Sequence, residues 1–243
     1  MRQPRADSGR ERRVLIILHQ RDSSPGRLGR LLTARGFALD CRRPIFGDPL
    51  PVTLASYAGV IIFGGPMSVN DEAAWLRREI GWIGVPLKER VPFLGICLGA
   101  QMLARHLGHS VRPHPNGVFE AGYHPIHPTE QGHRLCECPF PSYVYQWHRE
   151  GCELPSGAIL LARGQEFDTQ AFLYGEAAYG LQFHPEVTFW VLCRWTFTTR
   201  ERLNQAGAQP RRRHFEGWLR HDAAIARWSG AFLRRWIPGP GIA

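Results

Sequence analysis

Val91-Pro92-Phe93-Leu94-Gly95-Ile96-Cys97-Leu98-Gly99-Ala100-Gln101 runs from a short apolar segment, through a cysteine with a glycine two positions away on either side, into a helical pattern closed by Gly108. A buried strand that turns sharply into a helix needs that spacing. The residue at the turn sits in strained backbone, and side chains two positions before and after it would collide, so both are Gly. The pattern is that of a nucleophile elbow with Cys in place of Ser. The helix that follows aims its N-terminal N–H groups at the sulfur, and that field favours the reactive thiolate. A free Cys is more often a small buried hydrophobe. The paired glycines and the strand-to-helix context argue against that fate for Cys97.

Outward from the elbow, apolar runs alternate with amphipathic segments. Residues 14–18 form a continuous run rich in β-branched residues, as in a strand buried on both faces of a parallel sheet. Residues 27–35 carry Leu28, Leu31 and Leu32 on one helical face, with Gly36 as the stop. Strands are expected at 37–41, 60–63 and 91–96, and helices at 73–87 and 98–107, the first of these helices weakened by Gly81 and Gly84. This alternation predicts an α/β fold, a mostly parallel sheet flanked by helices. Between 111 and 183 helical periodicity fades, and shorter strands are expected at 118–126, 143–147, 158–162, 171–174 and 180–183. A helical pattern returns after 187 through Val191, Leu192, Trp195 and Phe197. Residues 206–213 read as a loop and 223–237 as a last amphipathic helix bearing Trp228, Phe232 and Trp236. Residues 1–12 read as a disordered basic tail. Residues 13–243 read as a single domain, with its chemical motifs within 14–190 and a helical extension over 190–243.

Composition excludes several classes. With 44% apolar and 21% charged residues the chain is not disordered, and its 26 Gly show no three-residue collagen period. The formal charge of +9 rests mainly on Arg. Arg2, Arg5, Arg10, Arg12, Arg13, Arg211, Arg212 and Arg213 read as a solvated basic surface. No zinc-finger spacing or RNP-like aromatic pattern supports nucleic-acid binding. No stretch reaches the roughly 18 apolar residues that span a bilayer. The apolar run at 14–18 is shorter than a signal-peptide core of roughly 7–15 residues, so a cytoplasmic protein without a membrane partner is expected. Six cysteines in 243 residues are no disulfide framework and are expected to be reduced. His124, His127, His133, Cys136 and Cys138 lie near one another, but Cys136-x-Cys138 lacks the C-x₂₋₄-C spacing of a metal site. Neither a metal nor a cofactor is expected.

A thiolate nucleophile needs a base, and the base an orienting partner. Among 11 histidines, His184 stands out in Gly180-Leu181-Gln182-Phe183-His184-Pro185-Glu186-Val187, at the end of an expected strand. Pro185 fixes the turn, and Glu186 can hold the imidazole. The C-terminal ends of parallel strands line one edge of a sheet, where Cys97 and His184 would meet. Acyl chemistry also needs donors for an oxyanion. The N–H of Leu98 is one candidate, and the turn Gly64-Gly65-Pro66-Met67-Ser68 at the end of the 60–63 strand supplies the other.

Phe63-Gly64-Gly65-Pro66-Met67-Ser68, Gly95-Ile96-Cys97-Leu98-Gly99-Ala100-Gln101 and Gln182-Phe183-His184-Pro185-Glu186 together resemble the class I, triad glutamine amidotransferase domain, whose fold is flavodoxin-like. Glu120-Ala121-Gly122-Tyr123-His124-Pro125-Ile126, Gln146-Trp147-His148, Leu154-Pro155-x-Gly157-Ala158 and Gln170-Ala171-Phe172 are similar to a stand-alone, GMP synthase-like branch. The resemblance implies that Cys97 attacks the side-chain amide of glutamine to give a γ-glutamyl thioester, with His184 relaying protons and Glu186 orienting it. It implies Gly65 and Leu98 as oxyanion donors, Gln101 as a holder of the glutamine amino-acid end, and His148 near the site. Arg149-Glu150 stand where the family often has Gly-Asp. GMP synthase also carries an ATP-pyrophosphatase domain, for which these 243 residues leave no room, and there is no P-loop. Ammonia is therefore expected to pass to a separate ammonia-accepting synthetase, or simply to be released. The same triad suits a γ-glutamyl peptide or γ-glutamyl amine hydrolase. A silent scaffold with a basic surface is a third alternative, but binding alone does not require a Cys-His-Glu trio.

Overall fold

The computed structural model describes residues 13–135 and 137–238; the expected tail at 1–12 lies outside them. Chain order begins β1 (Arg13–Ile17), α1 (Gly26–Ala34), β2 (Ala38–Arg42), β3 (Gly59–Ile62), α2 (Ala74–Trp82), α3 (Gly84–Glu89), β4 (Phe93–Ile96) and α4 (Leu98–His106). It continues with β5 (Val111–Pro113), β6 (Glu120–Pro125), β7 (His127–Pro128), α5 (Glu130–His133), β8 (Tyr143–His148) and β9 (Glu150–Cys152). Then come β10 (Ala158–Arg163), β11 (Ala171–Tyr174), β12 (Ala178–Leu181), α6 (Phe189–Thr198) and α7 (Arg211–Trp236).

Eight strands form one sheet in the order β2-β1-β3-β4-β12-β11-β10-β7. The first five run parallel. The last three join antiparallel. β3, β4 and β12 are short apolar runs buried along their whole length, as strands covered on both faces must be. Alternation along each strand then divides the core. Val14, Ile16, Ile61 and Leu94 pack with Leu28 and Leu32 of α1 and with Trp228 and Phe232 of α7. Leu15, Ile17, Val60 and Phe93 pack with Leu76 of α2 and Leu103 of α4 on the other face. The pairing of β4 with β12 sets Gly95 opposite Gly180 and Ile96 opposite Leu181, so the chain leaves both strands side by side.

Two expected helices need correction. The segment 73–87 is two helices that meet at Ile83, because Pro86 has no N–H to bond back to the preceding turn. The last helix starts at Arg211, not 223, and takes in part of the expected loop. Its first turn is all arginine and Gly217 interrupts its apolar stripe, which hides it from a periodicity test. Gly217 is there for contact: a Cβ on it would lie 2.2 Å from the Tyr123 ring of β6. The two- and three-residue strands β5, β7 and β9 are too short to carry a period and were not expected.

Trp228 is fully buried, stacked on Phe232 at 4.9 Å and tilted against Phe140 at 4.7 Å. Trp228→Ala is expected to remove about 3–5 kcal/mol of stability, read as a lower midpoint of urea unfolding.

Candidate active site

Cys97 sits between β4 and α4 at φ 50°, ψ −106°. With Arg90 it is one of two non-glycine residues at positive φ among those described. Neighbouring strands hold it there. Its N–H donates to the Leu181 carbonyl of β12 at 2.7 Å, and its own carbonyl accepts from the Gln101 N–H at 3.0 Å. The flanking glycines are required by contact. A Cβ on Gly95 would lie 2.4 Å from the Gly99 oxygen, and one on Gly99 would lie 2.1 Å from the Ile62 oxygen. Both are backbone atoms that cannot swing away.

His184 lies three residues past β12, its N–H bonded to the Tyr145 carbonyl at 2.9 Å. Its Nδ1 is 2.7 Å from Glu186 Oε1, and both side chains are almost wholly buried. Its Nε2 makes no hydrogen bond within the protein. Gly64, just past β3, lies against both groups: a Cβ there would stand 2.9 Å from His184 Cε1 and 3.4 Å from Cys97 Cβ. The ends of β3, β4 and β12 thus bring Gly64, Cys97 and His184 together. Burial by itself would push the His184 imidazole down. The Glu186 carboxylate, followed by the Cys97 sulfur, outweighs burial and raises it to about 10.

The turn at 184–186 is braced from two helices. The Arg27 N–H donates to the Glu186 carbonyl at 2.9 Å, and the Arg27 guanidinium donates to the Pro185 carbonyl at 3.2 Å. The same guanidinium pairs with Asp222 of α7. Gly26, at φ 53°, allows this approach, since a Cβ would fall 2.2 Å from the Glu186 oxygen. Sequence reasoning missed Arg27 and Asp222, which carry no local motif.

Leu98 opens α4, so its N–H has no intrahelical acceptor. Gly65 packs beside it: a Cβ on Gly65 would come 3.1 Å from Leu98 Cδ2. Gln101 and His148 both reach the cavity wall, and one nitrogen of each is already bonded to backbone there. Gln101 Nε2 donates to the Glu150 carbonyl at 2.8 Å and to Gln182 Oε1 at 3.2 Å. His148 directs Nδ1 to the same Glu150 carbonyl at 3.0 Å, and its Nε2 is 3.0 Å from Glu120 Oε2. Burial pushes the Glu120 carboxyl up, but the bond and charge of His148 more than offset this and hold it below the usual range.

These groups surround a cavity of about 340 Å³, within the roughly 300–1,000 Å³ of small-molecule sites. Trp147 and Trp195 form apolar wall, and Arg149, Arg194 and Arg202 stand among its lining residues. Among the described residues no three His, Cys, Asp or Glu are arranged to hold a metal. Cys136 lies outside the described residues. Cys41, Cys97, Cys152 and Cys193 are free thiols. No described helix is long and apolar enough to cross a membrane.

The family model for class-I glutamine amidotransferases matches residues 28–190, and the chain belongs to that family. It is an enzyme of the amidotransferase and amide-hydrolase kind, with the flavodoxin-like fold of that class. It is 30% identical over 184 residues to the glutamine amidotransferase-like protein YfeJ of Salmonella typhimurium, covering 72% of this chain and 76% of that one. It is 33% identical over 132 residues to a glutamine-hydrolysing GMP synthase of Prochlorococcus marinus, covering 53% of this chain and 24% of that protein. A glutamine amidotransferase structure from Methylobacillus flagellatus superposes with a TM-score of 0.87 at 26% identity, over 95% of this chain and 97% of the other. One from Thermotoga maritima gives 0.82 at 31% identity, over 93% and 98%.

A histidine raised above its ordinary value of 6.5 to about 10 contributes stability in full below 6.5 and loses that contribution as pH rises through 10. The unfolding free energy is therefore expected to fall across that window, and Glu186→Gln to flatten the fall. An NMR titration of the His184 ring checks the cause: its midpoint drops in Glu186→Gln.

Proposed function

We propose that the chain hydrolyses the side-chain amide of L-glutamine through a γ-glutamyl thioester on Cys97. The carrying observation is the convergence of Cys97, His184 and Gly64 at three neighbouring strand ends, with Glu186 bonded to the imidazole. The Cys97 thiolate attacks the amide carbon, and the imidazolium of His184 gives its Nε2 proton to the departing nitrogen as the C–N bond breaks. Ammonia leaves. Water then attacks the thioester, His184 takes its proton, and the C–S bond breaks to return glutamate and thiolate. The N–H groups of Gly65 and Leu98 hold the oxyanion in both steps. Gln101 and His148 act through the Glu150 carbonyl, shaping the wall against which the amino-acid end rests, while a rim arginine suits its carboxylate.

In this reading the ammonia passes to a separate synthetase or is simply released; the stretch shared with a GMP synthase relative spans 24% of that protein. A γ-glutamyl peptide or amine hydrolase is the second reading, favoured by the tryptophan-walled space beyond the sulfur. A thiolate mechanism suits a reducing compartment, the cytoplasm. The single domain proposed for residues 13–243 has α7 as part of its core among the described residues.

Cys97→Ala is expected to cut ammonia release from glutamine by roughly 10³-fold or more while leaving the unfolding curve unchanged. Mass spectrometry of the quenched native enzyme is expected to find one glutamyl group on Cys97. Turnover by Cys97→Ala at the native rate refutes the mechanism, and faster cleavage of γ-glutamyl amines than of glutamine selects the second reading.

A further inference from the structure

His19 and Glu79 form a second buried histidine–carboxylate pair, which takes no part in the steps above. His19 follows β1, Glu79 lies on α2, and both side chains are fully buried. His19 Nε2 is 2.9 Å from Glu79 Oε1, and its Nδ1 is 3.2 Å from the Gly64 carbonyl oxygen. A carbonyl can only accept, so Nδ1 carries a hydrogen and donates it. Glu79 fixes the ring by holding the opposite nitrogen. Burying a carboxylate costs several kcal/mol before pairing, and Glu79 Oε2 has no partner at all. An apolar pair of the same size would fill this space at less cost, so the arrangement is not explained by packing.

The Gly64 carbonyl and the Gly65 N–H belong to one peptide. In a trans peptide they point in opposite directions. A carbonyl drawn to His19 sends the Gly65 N–H the other way. That side is the cavity, where Gly64 abuts Cys97 and His184. A hydrogen bond to the carbonyl also polarises the peptide and strengthens its N–H as a donor. The His19 Cβ braces the turn from below: a Cβ on Gly65 would stand 2.9 Å from it.

We propose that His19 and Glu79 are a positioning pair that orients and polarises the Gly64–Gly65 peptide as oxyanion donor, a role that rests on the amide-hydrolysing reading of the site. The pair never touches substrate. Its contribution appears only when the carbonyl oxygen becomes charged, so it belongs to kcat and not to substrate affinity.

The test uses the double variant His19→Leu/Glu79→Leu, which leaves no charge buried alone, and the rescue variant His19→Asn/Glu79→Leu, whose amide places a donor near the position of Nδ1. Two reactions of Cys97 are compared in the whole chain: glutamine hydrolysis, which passes through an oxyanion, and alkylation by iodoacetamide, which does not. The Leu/Leu variant is expected to lose about 10–100-fold in kcat, less than outright deletion of an oxyanion donor, with KM for glutamine within about twofold. Its alkylation rate is expected to stay within about twofold of native, and the Asn variant to recover most of the lost kcat. Native kcat in the Leu/Leu variant overturns the proposal. So does parallel loss of hydrolysis and alkylation, or failure of Asn to recover any turnover when folded. A native chain that alkylates but cleaves no γ-glutamyl amide overturns the underlying reading as well, before any variant is compared.

Discussion

The hydrogen bond from the Cys97 N–H to the Leu181 carbonyl, at 2.7 Å, joins the strained elbow to the strand that leads into His184. It exists because β4 and β12 are neighbours in the sheet although far apart in the chain. That single adjacency fixes the Cys97 backbone at a positive φ and delivers the His184 imidazole to the same edge. The strain at Cys97 persists because surrounding backbone over-determines it, with Gly95 and Gly99 leaving no room for relaxation.

Around the sulfur the protein concentrates costly groups. Glu186 and Glu79 are both buried carboxylates, each with one oxygen bonded to a histidine and the other unpartnered. Their histidines approach Gly64 from different directions, one by contact with the ring and one through the carbonyl. Such groups lower stability unless paired and persist where chemistry needs them. The neighbouring Glu120–His148–Gln170 network is similarly buried, yet it acts on the Glu150 carbonyl and not on the sulfur.

α7 couples this edge to the far end of the chain. Its Trp228, Phe232 and Trp236 are core, and its Asp222 holds Arg27, which in turn holds the 184–186 turn. The aromatic-rich and arginine-rich segment that resisted assignment by sequence is therefore part of the scaffold beneath Glu186. Arginine there has a structural use, besides its contribution to net charge.

The sequence by itself determined the alternating α/β plan, the strand-to-helix elbow at Cys97 and the place of His184 just past a strand end. Those signals are local: unbroken apolar runs, glycines two residues from a cysteine, and a His-Pro-Glu turn at a strand end. The same strand-end rule applies to His19, which follows the 14–18 run, but no local residue there announces its partner. Only the tertiary structure decided that Glu79 faces His19, that Arg27 and Asp222 clamp the 184–186 turn, and that Gln101 and His148 are already engaged with Glu150. The break at Ile83 and the early start of α7 depended likewise on a missing proline N–H and on the fit of Gly217 against Tyr123. The physical reason is one of range. Periodicity and turn chemistry act over a few residues and can be read along the chain. Pairing of buried charges is set by which strands and helices become neighbours, and that follows from the packing of the whole sheet.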